Sequence, residues 1–200
     1  MSTAGPVIGR RERNKQQKLQ RIIAAASELF AAHGVDEVTT QQIAERADIG
    51  TGTLFLYAKN KGELLLLVQN ANYAVALESG IAAAEDVTDP ADAIMALLRP
   101  IIDCNRTHVD NGRSYLREMV FGDPTDAHHA NALRIVRATE EASVAILRRD
   151  PEMDAARAES LARIFSAIMF LTMGASATAA LSVDAIAADV RTQVSAVLGR

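Results

Sequence analysis

Between Thr39 and Tyr57 the chain reads TTQQIAERADIGTGTLFLY, a run of hydroxyl, amide and apolar side chains arranged in two short helical patterns around a joint, Asp48-Ile49-Gly50. Thr39 can accept from the backbone N–H of Gln42, and the Gln42 amide can reach back to the Thr39 N–H, which makes a capping box. Ile43, Ala44 and Ala47 then form the apolar stripe of the first pattern. In the second, Leu54 and Ala58 (i, i+4) share a core-facing side. Leu56 lies far around the wheel from Leu54 at about 100° per residue, with Gly52, Thr53 and Tyr57 near it. A short surface helix with apolar and hydroxyl groups on its outer side expects a partner there. Two short helices about a tight turn, the second presenting its outer face, describe a helix-turn-helix.

Bond-making chemistry is not spelled out. No nucleophile motif or Gly-rich phosphate loop occurs, and Glu140-Glu141 points in two helix directions, unlike a working acid/base pair. Cys104 and His108 share a helix face, and His128-His129 lies in a loop or helix start. A metal site needs three or four convergent ligands, and no further ones have matching spacing. No catalytic residue, metal or cofactor is therefore expected.

The elements that must hold the motif precede it. Helix one reads from about Lys15 to His33, with Leu19, Ile22, Ile23, Ala26 and Phe30 at helical spacing and Gly34 as its stop. Ahead of it, Arg10, Arg11 and Arg13 show no apolar periodicity and are expected to form a disordered arm, residues 1–14. Residues 1–21 hold six Lys/Arg against one Glu, a local +5; residues 1–61 carry +3, and residues 62–200 carry −7 in a chain of net charge −4. A basic first third beside a helix-turn-helix points to an anionic partner, double-stranded DNA.

The run IIAAASELFAAHGVDEVTTQQIAERADIGTGTLFLYAKNKGELLLLV, within Gln17 to Val68, closely resembles the N-terminal domain of tetracycline-repressor (TetR) family regulators. The matching features come in order: a first helix ending at Phe30 and Gly34, the capped Thr39, the Gly52-Thr53-Leu54-Phe55 core of the recognition helix, and the Asn60-Lys61-Gly62-Glu63-Leu64 entry to helix four. The resemblance implies a DNA surface formed by Thr40, Gln41, Thr51, Gly52, Thr53, Phe55, Leu56, Tyr57 and Lys61. Thr40, Thr53, Tyr57 and Lys61 would hold phosphates, Gln41 would meet a base edge, and Thr51, Phe55 and Leu56 would meet thymine methyls. Arg10, Arg11 and Arg13 would follow the backbone or enter a minor groove. Two departures stand out: the recognition helix has no Arg or Lys before Lys59, and Gly50 replaces the Ser that often caps it.

Past Val68 the sequence gives helices separated by turn signals. Asn60 caps a helix running to about Ala84; Asp89-Pro90 starts one reaching about Val109; Asp110-Asn111-Gly112 reads as a break before Arg113–Phe121. Further helices read as Thr125–Arg149, Asp154–Leu181 and Val183–Leu198, and alternating strand patterns are absent. Ile164–Val183 lacks charge over a length that could cross a bilayer, but its Ser, Thr and Ala content favours a helix buried in protein. The resemblance implies that the last two long helices form a four-helix homodimer interface. It also implies a small-molecule pocket in this domain. Met95, Met119, Phe121, Phe165, Met169, Phe170 and Met173 are its candidate apolar lining, and Asn105, His108, Tyr115 and Arg117 are candidate polar groups.

With 49% hydrophobic residues, 200 residues allow a sizeable core. The N-terminus has no apolar h-region, and Cys104 is the sole cysteine, so a cytoplasmic setting is expected. The expected architecture is all-α, about nine helices: a helix-turn-helix domain at 15–61 docked on a helical ligand-binding and dimerisation domain at 62–200. The expected function is a homodimeric DNA-binding regulator, a repressor released by a ligand. The competing classes are a helical enzyme, or a membrane-associated or scaffolding protein whose helix-turn-helix only packs.

Overall fold

The computed structural model describes residues 9–199 and is all-helical there. In chain order the helices are α1 (Arg10–His33), α2 (Thr40–Arg46), α3 (Thr51–Leu54), α4 (Lys61–Ala84), α5 (Pro90–Arg106), α6 (Val109–Phe121), α7 (Ala127–Leu147), α8 (Ala155–Gly174) and α9 (Val183–Leu198), with a 3-10 turn at Ser176–Thr178. Caps explain most of the starts. Asn60, Asp89, Asp126, Asp154 and Ser182 each accept a backbone N–H three residues ahead, and Pro90 fills the first position of α5, where no donor is needed.

Helices α1–α3 pack around Ile22, Ala26, Phe30, Val38, Ile43, Leu54 and Ala58, all buried. That core continues into Leu64 and Leu65 of α4, so the small N-terminal bundle is not an independent globule. Helix α4 is the axis of the larger unit and packs most extensively on α5. Their backbones approach closely at Gly80, where an added Cβ would lie 2.2 Å from the Leu97 carbonyl oxygen.

Three expectations need correction. Residues 10–14, read as part of a disordered arm, are the opening of α1: the Gly9 carbonyl accepts from Glu12 and Arg13, and Glu12 sits favourably at the positive helix start. Residues 1–8 of that arm lie outside the described residues. Second, Asp110-Asn111-Gly112 is not a break but the first turn of α6, started by His108, whose Nδ1 accepts from the Asn111 N–H at 3.4 Å. The glycine is needed for packing there, since a Cβ at 112 would lie 2.2 Å from the Asn105 carbonyl oxygen.

Third, the uncharged stretch expected to continue α8 to Leu181 bends away after Gly174. Thr178 Oγ1 donates to the Thr172 and Ala175 carbonyl region, and the buried Arg106 guanidinium collects the Thr178, Ala179 and Leu181 carbonyls at 3.3, 2.9 and 2.7 Å. A charged group from a distant helix thus captures the carbonyls that helical continuation would have used. Among the described residues, no helix is long and apolar enough to cross a membrane.

Candidate nucleic-acid interface and ligand cavity

The joint between α2 and α3 follows from its hydrogen bonds. Thr39 and Gln42 form the expected reciprocal cap, at 3.2 Å (Gln42 N–H to Thr39 Oγ1) and 2.8 Å (Thr39 N–H to Gln42 Oε1). At the far end, Asp48 N–H bonds the Glu45 carbonyl and Ile49 N–H the Ala44 carbonyl, the two bonds of a Schellman closure. That closure puts Asp48 in the left-handed region at φ 52, a place glycine usually takes. Its exposed carboxylate meets Arg21 of α1 at 3.1 Å, so one cation of the basic N-terminal run is used within the fold. The Gly50 carbonyl accepts from Thr53 and Leu54 and starts α3, which has no side-chain cap.

Helix α3 is short, but turn bonds from Leu56, Tyr57 and Ala58 back to Thr53 and Leu54 prolong the helical path. Leu54 and Ala58 face the core as expected, and Leu56 stands out at 83% exposed with Phe55 beside it at 45%. Gly52 is exposed, while Thr51 and Thr53 are half-buried. On α2, Thr40 is half-buried and Gln41 exposed, its Nε2 donating to Glu45 at 2.9 Å. Tyr57 donates its hydroxyl to the Lys15 carbonyl at 3.3 Å, and Lys61 donates to the Asp36 carbonyl at 2.8 Å. Arg10 and Arg11, with Lys15 and Lys18, line one open groove of about 1120 Å³ together with Leu56 and Tyr57. Arg13 is exposed on the same helix. The structure therefore unites the cations of early α1 with the tip of α3 along a single groove.

Two ties connect this unit to the larger domain. Asn111 of α6 donates to the Phe30 carbonyl at 2.7 Å and accepts from Val35 N–H at 2.8 Å, gripping the end of α1. His128, at the start of α7, places Nε2 2.7 Å from the Tyr57 carbonyl. Because a carbonyl only accepts, the ring nitrogen donates. Neither residue figured among the sequence candidates for DNA or ligand contact, and His128 was weighed only as a metal ligand. Their signal was weak: Asn111 sits in a sequence that mimics a turn, and His128 in one that mimics a loop.

An apolar cavity of about 90 Å³ lies between α4, α5, α6, α7 and α8. Of the sequence candidates, Tyr115, Met119, Met169, Phe170 and Met173 line it. The other candidates do not. Phe121 is 78% exposed, because two residues along a helix turn the side chain about 200° away from Met119. It borders a surface groove with Arg117. Met95 and Phe165 are packed in the core, and His108 serves as the α6 cap. Asn105 acts from behind the wall, donating to the Tyr73 hydroxyl at 2.6 Å.

Tyr73 itself was missed; it lines the cavity and stacks on Tyr115 with centroids 4.6 Å apart. Burial raises both phenols well above the ordinary tyrosine range. The spacing Leu66, Asn70, Tyr73, Leu77 on α4 carried the clue, since Asn70 and Tyr73 place polar atoms in a buried stripe.

Comparisons with known proteins bear on both features. The family model for bacterial regulatory proteins of the tetR family matches residues 22–68. The HTH-type transcriptional regulator TcmR of Streptomyces glaucescens is 28% identical over 162 residues, covering 80% of this chain and 63% of TcmR. The fatty acid metabolism regulator protein of Bacillus subtilis (strain 168) is 37% identical over 54 residues, 27% of this chain and 28% of that protein. The chain thus spans less than two thirds of these curated relatives. Among solved structures, Thermus thermophilus FadR, a TetR-family repressor in complex with lauroyl-CoA, superposes with a TM-score of 0.69 at 22% identity, over 90% of this chain and 93% of FadR. A TetR regulator from Rhodococcus sp. RHA1 gives 0.70 at 18%, over 92% and 97%. At these identities, the superpositions establish a shared fold.

Proposed function

Because the chain belongs to the TetR family of transcriptional regulators, we propose that it binds double-stranded operator DNA as a homodimer and acts as a repressor released by a small molecule in the C-terminal domain. The carrying observation is the exposed Leu56–Phe55 tip of α3 beside the Arg10, Arg11, Lys15 and Lys18 groove. Apolar side chains on a helix tip read thymine methyls in a major groove, and the flanking cations supply phosphate attraction. Without Arg or Lys on α3, guanine readout from that helix is not expected.

For the partner chain, α8 offers Ile164 and Leu171, 42% and 67% exposed and two turns apart on one face. A two-fold dimer through α8 and α9 would present two recognition helices to two half-sites. The regulator's ligand belongs in the Tyr73–Tyr115 cavity. Its lining carries no charged side chain, which suits an uncharged apolar group. The volume of about 90 Å³ is well below the roughly 300–1,000 Å³ of a drug-sized site. A larger ligand must therefore open the wall, where Met119, Met169 and Met173 are flexible enough to yield.

A gel shift with the DNA upstream of the chain's own reading frame tests the reading. Wild-type protein should shift it and Leu56→Glu should not, while both stay folded. Equal shifts by both proteins would remove α3 from the interface.

A further inference from the structure

A continuous polar chain links the cavity to the recognition helix. Tyr115 lines the cavity on α6, and its hydroxyl donates to Asn70 Oδ1 at 2.9 Å. Asn70 is 2% exposed on α4, and its Nδ2 donates to the His128 carbonyl at 2.8 Å. The His128 ring then donates through Nε2 to the Tyr57 carbonyl at 2.7 Å, at the end of the α3 path. Tyr57 finally bonds the Lys15 carbonyl of α1 through its hydroxyl. At His128 and Tyr57 the chain passes through the residue itself: the backbone carbonyl accepts and the side chain donates onward. An amide has one oxygen and one NH₂, so Asn70 can face Tyr115 and His128 together in only one way.

We propose that this Tyr115–Asn70–His128–Tyr57 chain transmits the state of the cavity to the seating of the recognition helix. The inference rests on the proposed function, in which the cavity takes a ligand and α3 reads DNA. An occupant that displaces the Tyr115 ring withdraws its hydroxyl from Asn70. The freed amide then loses its fixed orientation toward the first turn of α7, and the His128 ring loses its register with Tyr57. Asn70 is buried and tolerates a missing partner poorly, so loss of the Tyr115 hydroxyl reorients its amide and loosens the part-buried links beyond it. Tyr115, Asn70 and His128 are positioning residues in this scheme; none touches DNA.

Hydrogen–deuterium exchange on the full chain, free of DNA, provides the test. Tyr115→Phe keeps the stack on Tyr73 and removes only the hydroxyl. It should accelerate exchange at residues 51–58 by about threefold or more while sparing α9. His128→Ala should do the same, the double variant should add nothing beyond His128→Ala, and His128→Gln, which keeps a donor, should restore slow exchange. Unchanged exchange at 51–58 in Tyr115→Phe, additive effects in the double variant, or an acceleration spread evenly over all helices would each overturn the proposal. So would failure of His128→Gln to differ from His128→Ala. Absence of DNA binding by the wild-type protein would instead overturn the regulator reading, and the exchange result would be unaffected by it.

Discussion

Single side chains in the proposed interface do different work, and the difference is measurable. Lys61 sits on the Asp36 carbonyl and carries a charge that any duplex attracts, so Lys61→Ala should weaken binding to all sequences alike. Gln41 has two amide protons, of which Glu45 takes one, leaving the other for a base edge. Gln41→Ala should lower preference at one base position by about 1–3 kcal/mol. Equal losses on operator and random duplexes would remove that role. Cys104 gives a pH-dependent counterpart away from DNA. Burial raises its thiol to about 11 from 9.0. Its thiolate fraction at neutral pH should be about a hundredfold below that of an open cysteine, with alkylation by iodoacetamide slowed to match. The raised value means the folded state holds its proton where the unfolded state releases it. The thiol's contribution to stability is therefore complete below pH 9 and is lost as pH rises toward 11. Alkylation at the rate of a free thiol in the native protein would contradict the burial.

At the scale of helices, close backbone approaches fix how the apolar faces meet. Gly80→Ala places a methyl against the Leu97 carbonyl, so α4 and α5 must separate. Chemical unfolding should show a loss of about 1–3 kcal/mol, the usual range for overpacking; a neutral result would mean the crossing is looser than described. This is also where sequence reading reached its boundary. The capped α2, the joint at Asp48 and the buried Leu54–Ala58 side were legible because their signals are local. The opening of α1, the first turn of α6 and the end of α8 were not. Two of these involve partners far along the chain: Asn111 in the first turn of α6 grips the end of α1, and Arg106 holds the 176–181 segment. Five of the thirteen residues that line the cavity were legible, as methionines and aromatics. Tyr73 was not, because its role depends on Tyr115 stacking across from another helix.

The whole molecule divides its charge by task. The chain carries net −4, yet its first 21 residues carry +5. Arg10 and Arg11 line the α3 groove as part of a helix, so the proposed interface presents them in a fixed geometry rather than as a loose tail. Replacing Arg10, Arg11 and Arg13 with Ala should flatten the dependence of log K on log salt by up to about three, close to one for each phosphate no longer neutralised. An unchanged slope would leave these residues outside the interface. Selecting bound duplexes from a random pool with the wild-type protein tests whether it reads DNA as a two-fold regulator. A two-fold regulator should enrich inverted half-sites whose centres lie about one DNA turn apart, roughly 34 Å, or a multiple of it. Failure to enrich any sequence, or enrichment of single half-sites without a symmetric partner, would contradict it.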